Sequence, residues 1–521
     1  MGFIFYLKGG NLMMNEFVNA LKDTIDNEIY NVSYTENGAR GFKTTGKKLL
    51  DLNFMVPSLR GADEYIIINN WLMAYAENRR LALIWLFYAS DVRGGLGERR
   101  IFRVIFKYLT TNSLNYYFIP KLLPLIPYYS RWDNLIYTCI DGVKEISDTC
   151  TDIIRNQLTE DMTNMKQDKP ISLLAKWMPS INTSSKRTKH IAKKLANSLQ
   201  ISEKEYRKML SKLRSYLKVV EVSMCANEWE NIDYSTVPSK ANLLYKDAFM
   251  KNDTDRRTEY LEALSNGTTK INASVAFPHE IYHKYKMAWD VDTTIEAMWK
   301  ALPDYVNGDS QTMVVVDGSS SMTWAKLYNS NISAIEVSRS LGIYFSERCT
   351  GPFKDNCIEF SKNPKWIDLS CIHSLYAKKR ILSSYDDCSN TDIEKVFDLI
   401  LNTAVKHNLT QEQMVNNILI ISDMEFDEGV CSYSNTLFSE IRAKYEDKGY
   451  KLPKLIFLNV SSRTNTIPMR ENENGVILVS GYSPTICKMV LSNELDPYKA
   501  LTNILYSDRY KPVIDILEQE L

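Results

Sequence analysis

The feature that most constrains this chain is a change in the spacing of its apolar residues near Pro303. Before it, apolar residues recur three and four apart, the period of helices that bury one face. After it they come in short unbroken runs: Thr312–Val316, Cys357–Ser361, Ile418–Ile421, Leu455–Val460 and Val476–Val479. Strands with no polar alternation are buried on both faces, which requires a parallel sheet with helices on either side. Helical patterns at Ile332–Arg348, Asp392–His407, Asn435–Lys448 and Tyr498–Tyr506 fall between the runs and supply those helices. The expected C-terminal half is therefore a doubly wound α/β domain, entered through the turn-rich Asn307-Gly308-Asp309-Ser310. Such folds bind ligands outside the carboxyl ends of their strands.

The first half reads as helices at Glu64–Asn78, Arg80–Ala89, Arg100–Thr110, Leu135–Asp148, Asp152–Asn164, Lys186–Ser198, Glu203–Val222 and Asp255–Ser265. Apart from Gly142, Pro and Gly lie between these segments. Many helices of this length on short turns predict a bundle or a solenoid of HEAT-like pairs, although no clean repeat period is visible. The expected division is 1–14 as an extension ending near Met13-Met14, 15–306 as the helical domain and 307–521 as the α/β domain. A chain of 521 residues with 45% hydrophobic and 24% charged residues is an ordinary globular one with room for both. No apolar run is long enough to span a membrane. Nine scattered cysteines without a C-x-x-C pair, and a first segment lacking signal-peptide features, predict reduced thiols and a cytoplasmic protein.

The net charge is zero but unevenly spread. Residues 1–300 carry 41 Lys+Arg against 34 Asp+Glu, and residues 301–521 carry 22 against 29. Between Arg155 and Lys218 there are 15 basic and 5 acidic residues. A surplus of this kind is either a solvated helical face or the footprint of an anionic partner, nucleic acid above all.

The strand exits carry the chemistry. After the first run comes Asp317-Gly318-Ser319-Ser320-Ser321, a spacing that turns one carboxylate and two hydroxyls toward one point. Hard oxygens suit Mg²⁺, Mn²⁺ or Ca²⁺ rather than zinc; the plain alternative is a turn that caps the next helix. Ser422-Asp423 leaves the strand Ile418–Ile421, and Ser389-Asn390-Thr391-Asp392 opens the helix Ile393–His407. Asp, Ser, Ser, Thr and Asp delivered by three loops in this order resemble the metal-ion-dependent adhesion site of the von Willebrand factor A domain. That resemblance implies one divalent cation, Mg²⁺ or Mn²⁺, on Asp317, Ser319, Ser321, Thr391 and Asp423, with an acidic group of a protein partner completing the coordination. The family's Gly-Gly before the Thr is Ser389-Asn390 here.

Other groups carry weaker signals. Asp386-Asp387 and Glu425/Asp427 read as solvated loop acids rather than catalytic carboxylates. His279-Glu280-Ile281-Tyr282-His283 is a literal H-E-x-x-H, which on a helix puts two zinc ligands on one face; Glu296 is a candidate third ligand, and Pro278 equally marks an ordinary helix start. Gly94-Gly95-Leu96-Gly97 looks like a phosphate loop but lacks the following G-K-[ST].

The helical half has markers of its own: Asp91-Val92-Arg93-Gly94-Gly95-Leu96-Gly97-Glu98-Arg99-Arg100, Arg131-Trp132-Asp133, Leu174–Pro179, Tyr206–Leu210 and Trp229–Ser239. Together with the α/β half they resemble the Ro ribonucleoprotein family, in which a ring of helical repeats, the TROVE module, is closed by a von Willebrand factor A domain. They are shared more fully with an uncharacterised family of the same layout; here Ser90 stands before Asp91 where the pattern has Arg. The resemblance implies RNA, structured or single-stranded, bound through phosphates by the basic helices. The residues expected to carry it are Lys176, Lys186, Arg187, Lys189, Lys193, Lys194, Arg207 and Lys208, with Trp177 available to stack on unpaired bases. The expected function is thus non-enzymatic RNA binding with a cation site for a partner, the alternatives being a metal-dependent protein-interaction scaffold without RNA and a metal-dependent hydrolase.

Overall fold

The computed structural model describes residues 18, 19, 21, 22, 25, 29–111, 117–286, 288–306, 312–360, 362–384, 390–428, 437–468, 475–483 and 496–520. The expected extension, the break at 307–310, Asp386, Asp387, Ser389 and three of the cysteines (388, 431 and 487) lie outside them.

Residues 312–520 form the α/β half. Strands β3 (Thr312–Asp317), β4 (Asn356–Phe360), β5 (Lys365–Asp368), β6 (Asn417–Ser422), β7 (Lys454–Asn459) and β8 (Val476–Ser480) make one sheet in the order β5-β4-β3-β6-β7-β8. All neighbours are parallel except the β4–β5 pair. Every residue of β3 and β8 is buried, as the unbroken apolar runs require. Edge strand β5 was not legible in the sequence; it is short and only Ile367 of its four residues is buried.

The helical half agrees in outline and differs at two breaks. The expected helix Leu135–Asp148 is two, Trp132–Asp141 and Lys144–Lys166, the second absorbing Asp152–Asn164. Gly142 separates them and is not helical; a Cβ there would come within 2.8 Å of the Thr138 carbonyl oxygen. The expected Glu203–Val222 ends at Tyr216 and resumes at Val220, because Lys218 takes a left-handed conformation, φ 48°.

The two halves share one core. The main buried cluster runs from Ala39 to Leu517 without a gap between halves. An antiparallel hairpin, β1 (Val32–Tyr34) and β2 (Arg40–Phe42), leaves the helical half and lies on the α/β half, where Phe42 and Ile467 exchange both backbone hydrogen bonds at 2.8 Å. Asn459 Nδ2 donates to the Phe54 carbonyl at 2.9 Å, Trp299 Nε1 to Glu347 at 2.8 Å and Tyr344 OH to the Pro303 carbonyl.

A further fastening, an ion pair, is at the glycine-rich loop. Asp91 is fully buried and accepts from Arg509 through both oxygens, the Oδ1 bond being 2.7 Å, and from Tyr510 OH at 3.1 Å. Tyr129 stacks on Tyr510 and donates to the Arg509 carbonyl at 2.7 Å. The loop turns so tightly that a Cβ on Gly95 would sit 1.9 Å from the Tyr88 carbonyl, and one on Gly94 would strike Arg509. The loop therefore holds the C-terminal segment rather than a phosphate. At its far end Glu98 binds Arg60, which lies 3.5 Å above the Tyr482 ring.

Removing one partner of a buried pair strands the other, at about 3–5 kcal/mol. Arg509→Ala, which strands the fully buried Asp91, is expected to lower the unfolding free energy by that much, read as a lower urea midpoint at an unchanged m-value, with a smaller loss for Asp91→Ala because the stranded Arg509 is partly exposed and reaches water. Equal stability of Arg509→Ala and wild type would refute the clasp.

Candidate metal centre and basic face

β3 and β6 are adjacent and parallel, with Val316 opposite Ile421, so the chain leaves both strands at the same edge of the sheet. The order reverses between them, since β3 leads to β4 on one side and β6 to β7 on the other. This is the switch point at which open α/β sheets leave a crevice. Asp317 and Asp423 stand on either side of it. Asp317, Ser319, Thr391 and Asp423 are buried and Ser321 half-buried. Ser319 N donates to Asp317 Oδ1 at 2.9 Å, the hydroxyls of Ser319 and Ser321 are 3.1 Å apart, and Ser422 Oγ donates to Asp317 Oδ2. Thr391 joins the group through Asn37 of the hairpin, whose amide nitrogen is 2.7 Å from the Glu425 carbonyl and 3.3 Å from Thr391 Oγ1.

Burial, then the charge of Asp423, pushes the Asp317 carboxyl up. Burial likewise raises Asp423, opposed by the Arg463 guanidinium 2.9 Å from its Oδ2. Two carboxylates and three hydroxyls, all but Ser321 on buried residues, are a donor set that fits a small hard cation, and a cation would relieve the charge that burial penalises. Arg463, itself held by Glu36 at 2.7 Å from Nε, is a cation already supplied by the protein to one of the two.

Sequence reading missed the next layer. Glu425, expected to be a solvated loop acid, is fully buried. It accepts backbone N–H bonds from Glu36 at 2.8 Å, Arg463 at 2.8 Å and Thr464 at 2.9 Å, and hydroxyl bonds from Ser462 and Thr464. One carboxylate thereby ties the hairpin and the β7 exit to the edge of the site. Asp427 is half-buried; its N–H bonds the Thr391 carbonyl.

The H-E-x-x-H groups are engaged elsewhere. His283 Nδ1 is 2.8 Å from Glu336, Glu280 pairs with Lys240 at 2.7 Å, and Glu296 accepts from Tyr285 OH and the N–H groups of Leu375 and Tyr376. His279 is buried between Phe277 and Tyr482, its Nδ1 without a hydrogen-bond partner among the described residues. Among the described residues no group of three or more His, Cys, Asp or Glu is gathered for a metal. The segment forms the helix Pro278–His283, with Pro278 at its start.

The expected basic residues lie on neighbouring helices. Lys186, Arg187, Lys189, Lys193 and Lys194 are exposed on Lys186–Ser198, which turns Ile191, Ala192, Leu195 and Ala196 inward. Arg207 and Lys208 are exposed on Glu203–Tyr216, where Lys204, Lys208 and Lys212 follow one another at i, i+4 and i+8. Not all are free: Lys193 pairs with Glu203 at 2.9 Å and Lys194 donates to the Ile140 carbonyl at 2.6 Å. Lys176 is half-buried beside Trp177, and one face of Trp177 is already covered by Arg131 at 3.9 Å, so that ring is not the open stacking platform expected. Among the described residues no helix is long and apolar enough to cross a membrane.

Comparison with known proteins returns two adjoining family matches. A model described as a domain of unknown function (DUF2828) matches residues 143–316, and another so described (DUF7788) matches residues 311–504. "Uncharacterized protein L728" of Acanthamoeba polyphaga mimivirus is 28% identical over 520 residues, covering 93% of this chain and 89% of its own. Among solved structures, the Deinococcus radiodurans RO (RSR) protein aligns over 87% of this chain and 95% of its own, at 12% identity and a TM-score of 0.39.

Two outcomes follow from the site's geometry. Mn²⁺ binding followed by calorimetry is expected at millimolar concentration or below and is expected to vanish in Asp317→Ala; a wild type that binds no divalent cation overturns the donor set. Burial lowers the His279 pKa to about 4, with nearby Glu280 opposing and Arg60 and Lys240 adding to it. The unfolded chain takes up this proton near pH 6.5 and the folded one only near 4, so folding stability falls as pH drops through that window, by on the order of 3 kcal/mol. His279→Gln should flatten the dependence of urea stability on pH between 6.5 and 4; an unchanged slope refutes the assignment.

Proposed function

We propose that this chain is a non-enzymatic, cytoplasmic RNA-binding protein with a two-part Ro-like architecture. In this reading a ring of HEAT-like helical pairs, residues 15–306, is closed by a von Willebrand factor A-like domain, residues 307–521, whose strand-end oxygens hold Mg²⁺ or Mn²⁺. The observation that carries it is the exposed cationic face of the helices Lys186–Ser198 and Glu203–Tyr216, where Lys186, Lys189 and Lys208 make no ion pair among the described residues. The fastening of residues 32–98 to residues 423–510 supports a closed ring. Asp317, Ser319, Ser321, Thr391 and Asp423 would hold the cation, which supplies a fixed positive charge at the sheet edge.

One observation favours the second reading, a metal-dependent protein-interaction scaffold. Trp324 is 81% exposed three residues beyond Ser321, the position of a partner's anchor rather than of a core residue. An acidic group reaching the cation would have to move Asn37 or Arg463, which lie against Thr391 and Asp423.

Filter binding of structured and single-stranded RNA over a series of salt concentrations separates the two. Neutralising Lys186, Arg187, Lys189, Lys193 and Lys194 together is expected to weaken binding and flatten the log–log salt slope by about 0.7 per lost contact on single strands. Asp317→Ala with Asp423→Ala should leave RNA affinity in place. A wild type that binds no RNA at low salt decides for the scaffold.

A further inference from the structure

Away from the sheet edge, four helical segments gather cations that lie far apart in the sequence. Arg99 and Arg103 stand one turn apart on the helix Arg99–Thr111, and Arg131 precedes Trp132–Asp141. Lys176 lies on Leu174–Trp177 and Arg187 on Lys186–Ser198. One carboxylate organises them: Asp133 accepts from Arg103 at 2.7 Å and from Arg131 Nε at 3.0 Å. Two rings fill the gaps. Trp177 carries Arg131 at 3.9 Å and Lys176 at 5.9 Å from its centroid; Tyr137 carries Arg103 at 4.3 Å and Arg187 at 5.8 Å. Arg99 is exposed within electrostatic reach of Arg131, Arg103 and Asp133, and makes no hydrogen bond or ion pair among the described residues. Glu280, the other carboxylate near it, is paired with Lys240.

Three guanidinium groups thus lie about a single carboxylate, with a fourth and one ammonium beside the two rings. Their mutual repulsion is maintained by packing, and an arriving anion relieves it. Guanidinium binds phosphate through two parallel hydrogen bonds, and its plane, like an aromatic ring, stacks on an unpaired base. Lysines on an open helix supply charge alone. We infer that the strip Arg187–Tyr137–Arg103–Asp133–Arg131–Trp177–Lys176, with Arg99 beside it, is a binding site for a single-stranded segment of RNA. It continues the exposed face of Lys186–Ser198 through Arg187, and rests on the RNA-binding reading above. A duplex hides its bases and gains nothing from the stacked guanidiniums, so the strip discriminates where the lysine face does not.

The test uses the full chain, a single-stranded uridine oligomer, an abasic phosphodiester oligomer of equal length and a duplex RNA. Arg99 and Lys176 anchor no other side chain, so Arg99→Gln/Lys176→Gln leaves the fold in place. It should weaken the uridine oligomer and flatten its salt slope by about 1.4, two contacts' worth, while leaving the duplex slope unchanged. Arg131→Lys keeps the charge and removes the plane over Trp177; it should weaken the uridine oligomer and spare the abasic one. Unchanged uridine binding in both variants, with loss in the five-residue variant of Lys186–Ser198, overturns the strip and keeps the lysine face. A wild type that binds none of the three overturns both.

Discussion

The buried pair between Asp91 and Arg509 is the interaction on which the rest of the arrangement depends. A carboxylate with no solvent exposure is tolerable only when its oxygens are saturated, and here two bonds from Arg509 and one from Tyr510 do so. The glycine-rich loop exists to make room for that guanidinium. With the clasp shut, Tyr129 and Tyr510 stack, the C-terminal helix Lys511–Glu520 lies against the helix Arg79–Ser90, and the edge of the sheet is brought to the hairpin. The hairpin in turn supplies Glu36 and Asn37 to the candidate cation site.

That dependence gives the strand-end oxygens an unusual setting. In an isolated α/β domain they would face water. Here Thr391 meets Asn37, Asp423 meets Arg463, and Glu425 beneath them holds the hairpin by its backbone. The site is as much a junction between distant parts of the chain as a face presented outward.

Legibility in the sequence followed the range of the interactions. Buried strands β3, β6, β7 and β8 could be read because a parallel strand covered on both faces needs nothing but apolar residues. The D-x-S-x-S loop was legible because its groups are neighbours in the chain. Hairpin β1–β2 was not: Val32–Tyr34 and Arg40–Phe42 are three residues each and owe their conformation to Ile467 and Thr466. Glu425 resembled any loop acid because its donors come from residues 36 and 462–464. Arg99, Arg103 and Arg131 fall outside the basic segment found by counting, since a tally along the chain does not see helices lying side by side.

The clasp also sets an order of assembly. Its partners are 418 positions apart, so the carboxylate of Asp91 is synthesised long before the guanidinium that receives it. During translation the loop 91–98 has its hydrogen bonds to the Tyr88 and Ala89 carbonyls but no counter-ion, and its acid stays in water until the final helix arrives. Most of the helical half can pack early from contacts close in sequence. The hairpin, by contrast, must wait for Ile467 and Arg463.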